Sequence, residues 1–378
     1  MASLWTFLVS RRGFPLTLSV VLALSAFTAE GAEGGQEAPP DTLPPPLVAP
    51  VIVPPGEEPV LAPRSGPVIT FEERVLEIVN LERAAVGLPP LKGVSELFNS
   101  SETHSSNMAN RDFFEHCDLD TKTTHGSRMT AAGYTWNAAG ENIAAGFSTP
   151  EDVMAAWMAS PGHRANLLDE NFVAREIGVG YFEEVGDQED VRRDFSGNDC
   201  TADFFEDGPF FRYWTQNIGR RNSVYPLVIN RESHDTVCAE LQLYVYAPAN
   251  ATEMRFSNDG VSWSAWMPYS PETTWTLPGA SGSPATVFSE VRNGATVSAQ
   301  DEIVLGAGFP ATSNLDVPQQ TVSTSETFQA CDTVSATAGF EVTATGDVTF
   351  HAGRRIVLGD GFSVASGGSF TAIVDSTL

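Results

Sequence analysis

The apolar pattern of this 378-residue chain changes its period near Arg221, and no single small fold accommodates both halves. Before that point apolar side chains recur at helical spacing. Phe71, Val75, Ile78, Leu81 and Ala85 share one face of a segment that stops at Gly87, and Thr70 with Glu73 three residues on forms a capping-box signature at its start. A second helix is expected over Ser95 to Asn110, with Leu97, Ser101, His104 and Met108 aligned. Thr149 and Pro150 open a third, with Asp152 at its third position and Val153, Met154 and Trp157 as apolar contacts; Ser160 and Pro161 cap a short fourth. "IGVGYF" (Ile177 to Phe182) and "YWTQNIG" (Tyr213 to Gly219) read as strands that pair antiparallel. Helices around a small sheet, in three layers, follow from this mixture.

Past Arg221 the period is two. "VCAELQLYVYA" puts Val237, Ala239, Leu241, Leu243 and Val245 on one face, and "MRFSNDGVSWSAW" is a hairpin signal turning at Asn258, Asp259 and Gly260. Residues 224–305 are therefore expected to form a β-sandwich of the immunoglobulin or fibronectin kind. Further on, glycine corners separate the apolar pairs Phe340/Val342, Val348/Phe350, Ile356/Leu358 and Phe362/Val364, with Phe370 next in line. That pattern predicts a small β-solenoid over residues 318–376, with an irregular β-sandwich as the alternative. The fold class is α+β.

At the other end, Arg11 and Arg12 precede an apolar run from Phe14 to Phe27 and small residues around Ala29. Residues 1–32 read as a secretory signal, too short for a stable transmembrane span. "SRRGFPL" fits a twin-arginine signal as well as an ordinary one. Residues 33–67, rich in Pro, Gly and acid, read as a tether, so the first domain spans 68–221 and the mature protein is expected to be secreted or at the cell surface. A formal net charge of −27 argues against nucleic acid as a partner, because phosphate neutralisation needs clustered Lys and Arg. The four cysteines, in an oxidising compartment, allow three pairings; Cys117 with Cys200 is favoured because both fall in one domain. No CxxC or Cys/His zinc spacing occurs.

Of six histidines, His104, His116, His125 and His163 lie in the helical domain. His163 stands near the start of a helix, where free backbone N–H groups and the dipole disfavour an added proton. A neutral imidazole there suits metal binding or proton acceptance, and equally a plain helix-start role. His104 is expected to support the second helix, and His125 to lie in a loop. The strand "YWTQ" sends Tyr213 and Thr215 to one face, Trp214 and Gln216 to the other. The carboxylate-rich stretch from Glu183 to Asp207 offers oxygen ligands of the kind calcium takes, without an EF-hand pattern, and reads first as a solvated loop. "LGAGF" lacks a following helix and is no dinucleotide fingerprint.

The strings "NLERAAVGLPPL", "HSSNMANRDFFEH", "GYTWNAAGENIAAG", "VMAAWMASPGHRANLL", "IGVGYF" and "YWTQNIG", in this order, resemble the CAP superfamily of cysteine-rich secretory, antigen-five and pathogenesis-related proteins. The resemblance covers about Val68 to Gly219 and implies an α-β-α sandwich with a central cleft. It assigns the cleft's two histidines to His116 and His163 and its first acid to Glu141, while Ser160 occupies the place of the second acid. A divalent metal, zinc above all, held by His116 and His163 with Glu141 beside them is one reading. In the other, Glu141 and Asn142 bond loop backbone and the histidines only line a polar cleft. The first functional expectation is a secreted binding module for a small-molecule or lipid ligand or a metal, with the β domains as spacer or surface attachment. The alternative is a metal-dependent peptidase or esterase in which His116, Glu141 and His163 are catalytic and Glu141 takes a proton from water. Adhesion through the β modules is compatible with both.

Overall fold

The computed structural model describes residues 69–168, 174–194, 200, 204–278, 284–306, 309, 311–353 and 355–374, so the expected signal and tether lie outside the described residues. Helix α1 (Phe71–Ala85) begins with the capping box read from the sequence: the Thr70 hydroxyl accepts from the Glu73 amide, and the Glu73 carboxylate accepts from the Thr70 amide. Strand β1 (Lys92–Gly93), helix α2 (Ser95–Asn110), helix α3 (His125–Ala131) and strand β2 (Trp136–Ala145) follow. Helix α4 (Pro150–Ala159) starts as expected, with Thr149 as N-cap and Pro150 in the first turn, and α5 (Pro161–Leu168) succeeds it. Strands β3 (Glu176–Glu183), β4 (Val191–Arg193), β5 (Phe204–Asp207) and β6 (Arg212–Arg221) complete the region.

The sheet runs β1-β3-β6-β2, and β6 pairs antiparallel with β3 on one side and β2 on the other. Alternation along β6 sends Trp214 and Ile218 to a core with Val75 and Val79 of α1, Met154 and Trp157 of α4 and Leu167 of α5. Tyr213 faces the opposite core, with Met108 and Ala109 of α2, Phe113 and Ile143. Both sheet faces are thus covered by helices, in three layers. Glycine makes the α2 contact close: a Cβ at Gly180 would lie 2.2 Å from the Glu102 amide nitrogen, and one at Gly178 2.1 Å from the Leu97 carbonyl carbon. The gap is bridged by the hydroxyls of Ser101 and Ser105, which donate to the Gly178 and Gly180 carbonyls at 3.0 and 2.9 Å. Cys117 and Cys200 form the favoured disulfide, with Cα atoms 5.7 Å apart.

One expectation is corrected, and one strand went unread. His125 opens α3, whose N-cap Thr124 accepts from the Ser127 amide, rather than lying in a loop. "GYTWNAAGENIAAG" contains a strand, β2, that its Ala, Asn and Gly content did not announce.

Next come β7 (Leu227–Ile229), a left-handed turn at Asn230–Glu232, and β8 (Asp235–Thr236), β9 (Glu240–Val245), β10 (Glu253–Ser257), β11 (Met267–Pro268), β12 (Glu272–Thr276), β13 (Ala285–Asn293) and β14 (Ala295–Leu305). They form sheets of order β11-β10-β13-β14-β8 and β12-β9-β7 around one apolar core that includes Leu241, Leu243, Phe256 and Val291. The turn holds Glu232 against Lys92 of β1, at 2.8 Å, and Asp301 of β14 also pairs with that lysine. Described residues up to Ser313 make one compact unit, and Asn314–Val374 a second. In the second, β15 (Asn314–Val317), β16 (Thr321–Val322), β17 (Ser325–Ala330), β18 (Thr333–Ala336), β19 (Glu341–Val342), β20 (Asp347–Ala352), β21 (Arg355–Leu358), β22 (Ser363–Val364) and β23 (Ser369–Val374) form three parallel sheets of three strands. Ser325 pairs with Asp347 and Asp347 with Ser369, a repeat of 22 residues.

Candidate functional site

Four segments distant in sequence converge on Glu141. Strand β2 places it between α3 and α5, with only 5% of its surface exposed. Its Oε1 accepts from His116 Nδ1 at 3.0 Å and its Oε2 from Arg128 Nη2 of α3 at 2.6 Å. Arg128 is nearly buried and also donates to the carbonyls of His116 and Thr123, at 3.0 and 2.8 Å, so one guanidinium fixes both the carboxylate and the backbone that carries the imidazole. Burial alone raises a carboxyl; here the Arg128 charge, then His104 and His116, outweigh it and hold Glu141 far below the usual carboxylate range. Glu141 is a permanent anion with both oxygens engaged.

Beneath it lies His104 of α2, fully buried, donating from Nε2 to the Glu115 carbonyl at 2.9 Å and 4.0 Å from Glu141 Oε1. Desolvation depresses it to about 4, so it stays neutral. Its role reaches beyond supporting a helix. His125 is likewise lowered, by burial first.

His163 is half-buried on α5. Its carbonyl accepts from Asn142 Nδ2 at 3.2 Å; Asn166, one helical turn on, donates to the Glu141 carbonyl at 3.2 Å and to Asn142 Oδ1 at 2.9 Å. Asn142 Nδ2 also bonds Gln216 of β6 at 3.1 Å. This amide network joins α5 to the strand of Glu141. The side chains of Glu141 and Asn142 thus bond Arg128, His116, Gln216 and α5 rather than loop backbone alone. Ser160, the C-cap residue of α4, stands where the resemblance puts the second acid and carries no carboxylate. Arg128 and Asn166 were missed in the sequence, and His104 was read only as a support of α2; its helical register with Leu97, Ser101 and Met108 was the one available signal.

Among the described residues, the donor atoms of His116, Glu141 and His163 do not gather within 4.8 Å of one another; those of Asp112, Glu184 and Asp187 do. Glu141 instead accepts the Nδ1–H of His116 and holds the ring from that side. Such carboxylate–imidazole pairs orient metal-binding histidines from behind.

The architecture and cluster define a three-layer α+β domain with a buried, ion-paired glutamate beside His104 and His116. Residues 76–191 match the model of the CAP, or cysteine-rich secretory protein, family. The uncharacterized protein YkwD of Bacillus subtilis is 42% identical over 119 residues, covering 31% of this chain and 44% of that protein. The uncharacterized membrane protein YlbC of the same organism is 27% identical over 113 residues, covering 29% and 32%. The chain therefore spans less than half the length of either curated relative. A crystal structure of an extracellular SCP-domain protein from Bacillus anthracis is similar at 26% identity and a TM-score of 0.31, over 40% of each chain. The family match ends at residue 191, before β6, the strand on which β2 and β3 both pair.

Proposed function

We propose that the CAP domain is a secreted binding module whose cleft takes a small ligand or a divalent metal at His116 and His163, with Glu141 as the group that orients His116. The observation that carries this reading is the double engagement of Glu141 by Arg128 at 2.6 Å and His116 at 3.0 Å. A carboxylate held so far below its ordinary range is a weak base, which disfavours the hydrolase reading. A metal bound there would supply Lewis acidity; His116 and His163 would hold it. The two sheets over residues 224–305 support an immunoglobulin- or fibronectin-like sandwich, and the 22-residue parallel repeat supports a short β-solenoid. Both suit a spacer or surface attachment. No helix among the described residues is long and apolar enough to cross a membrane.

Zinc titration of chelator-treated full-length protein by calorimetry tests the reading. One site is expected, lost in His116→Ala and in His163→Ala and weakened roughly tenfold or more in Glu141→Gln. Zinc uptake unchanged by both histidine variants refutes the metal assignment; ester or peptide hydrolysis abolished by Glu141→Gln would favour an enzyme.

A further inference from the structure

Away from the cleft, a second group of carboxylates closes on itself. Asp112 follows α2, Glu184 follows β3, and Asp187 sits in the turn after it; one oxygen from each lies within 4.8 Å of the others. Glu189 lies within hydrogen-bond reach of the Asp112 carboxyl. The backbone holds them in place: the Arg192 amide donates to the Asp112 carbonyl at 2.8 Å, and the Glu184 amide to the Phe211 carbonyl at 2.8 Å. Asp187, 5% exposed, accepts from the amides of Glu189 at 3.0 Å and Phe211 at 3.4 Å.

Two further atoms point to something bound among them. Glu184 Oε2 is buried without a hydrogen-bond partner. Tyr213, fully buried on β6, turns its hydroxyl toward Asp187 without closing a hydrogen bond of good geometry. Burial first, then the charges of Asp187, Glu184 and Asp112, raise that phenol above its ordinary value, which places the hydroxyl within the field of all three. Arg192, the nearby cation, directs its guanidinium to Asp120 at 2.9 Å and to backbone carbonyls. A buried, unpaired carboxylate oxygen among other carboxylates lacks a counter-charge, and such groups are costly without one.

We infer that Asp112, Glu184 and Asp187, with Glu189 and the Tyr213 hydroxyl beside them, form a calcium site. The donors are all hard oxygens from aspartate, glutamate and tyrosine, a set that suits calcium and not zinc. Calcium–oxygen bonds of about 2.3–2.6 Å put ligand oxygens up to about 5 Å apart across the ion, the span seen here. The ion would tie the end of α2 to the turns after β3. Asp112 precedes His116 by four residues, so this tie also steadies the segment that carries the cleft imidazole.

Calorimetric titration of the chelator-treated full chain with calcium chloride, and separately magnesium chloride, tests the inference. Expected is one calcium site with a dissociation constant on the order of 10⁻⁴–10⁻³ M and slower hydrogen exchange around residues 112–118 and 183–192. Asp112→Asn with Glu184→Gln should weaken it at least about tenfold, and His116→Ala should leave it intact, which separates it from the zinc reading. No calcium heat, or an equal response to magnesium at equal ionic strength, overturns it in the wild-type protein alone. Unchanged calcium affinity in the double variant, or loss of calcium binding in His116→Ala, overturns it as well.

Discussion

Acidification should weaken the helical domain through His104 before it reaches Glu141. The imidazole is fully buried, bonded to the Glu115 carbonyl at 2.9 Å, and depressed from 6.5 to about 4 by desolvation. The folded state therefore binds fewer protons than the unfolded one between those values. Its contribution is complete above 6.5 and lost as pH falls toward 4. At about 1.4 kcal/mol per pH unit the loss across that window is on the order of 3 kcal/mol. Glu141, whose folded value is lowered, gives up its own contribution only below the ordinary carboxylate range, so the two windows separate. His104→Gln keeps an N–H donor for the Glu115 carbonyl and removes the titration. Hydrogen exchange of α2 amides in the full chain, corrected for the intrinsic effect of pH, should show the wild type losing about 2.5 kcal/mol more than the variant between about pH 7 and about pH 4.5. His125 titrates in the same direction and cancels in the comparison. Equal losses in both proteins would refute the desolvation argument.

Gly180→Ala should cost about 3 kcal/mol or more, since its Cβ would meet the Glu102 backbone at 2.2 Å; circular dichroism of a fully stable variant would contradict the close α2–β3 contact. Cys117→Ser should lower the thermal midpoint, because the Cys117–Cys200 bridge closes a separation of 83 residues and contributes about 4–5 kcal/mol in the chain-entropy picture. A midpoint unchanged in that variant would place the domain's stability elsewhere.

Much of the scaffold was legible because local chemistry and periodicity agreed. The caps at Thr70 and Thr149, the burial face of α2 and the antiparallel pairing of β3 with β6 all follow from short-range pattern. Strand β2 did not, because Ala138, Ala139 and Gly140 carry little strand preference and the state is imposed by pairing with β6. The 22-residue repeat was read at the six- to eight-residue spacing of its strands, since each strand contributes its own apolar pair and hides the longer period. At the site, His116, Glu141 and His163 came from family resemblance, and the structure joins the first two directly and the helix of the third through Asn142 and Asn166. Arg128 was illegible because a basic residue 13 positions before Glu141 announces nothing until α3 and β2 pack together.

The state of the His116 ring decides whether Glu141 orients or reacts. Nitrogen-15 NMR of the imidazoles at neutral pH reads it directly. Expected is a His116 ring whose Nδ1 carries a proton held toward Glu141 at 3.0 Å, and loss of that hold in Glu141→Gln. An Nδ1 without a proton in the wild type, or a ring indifferent to Glu141→Gln, would contradict it.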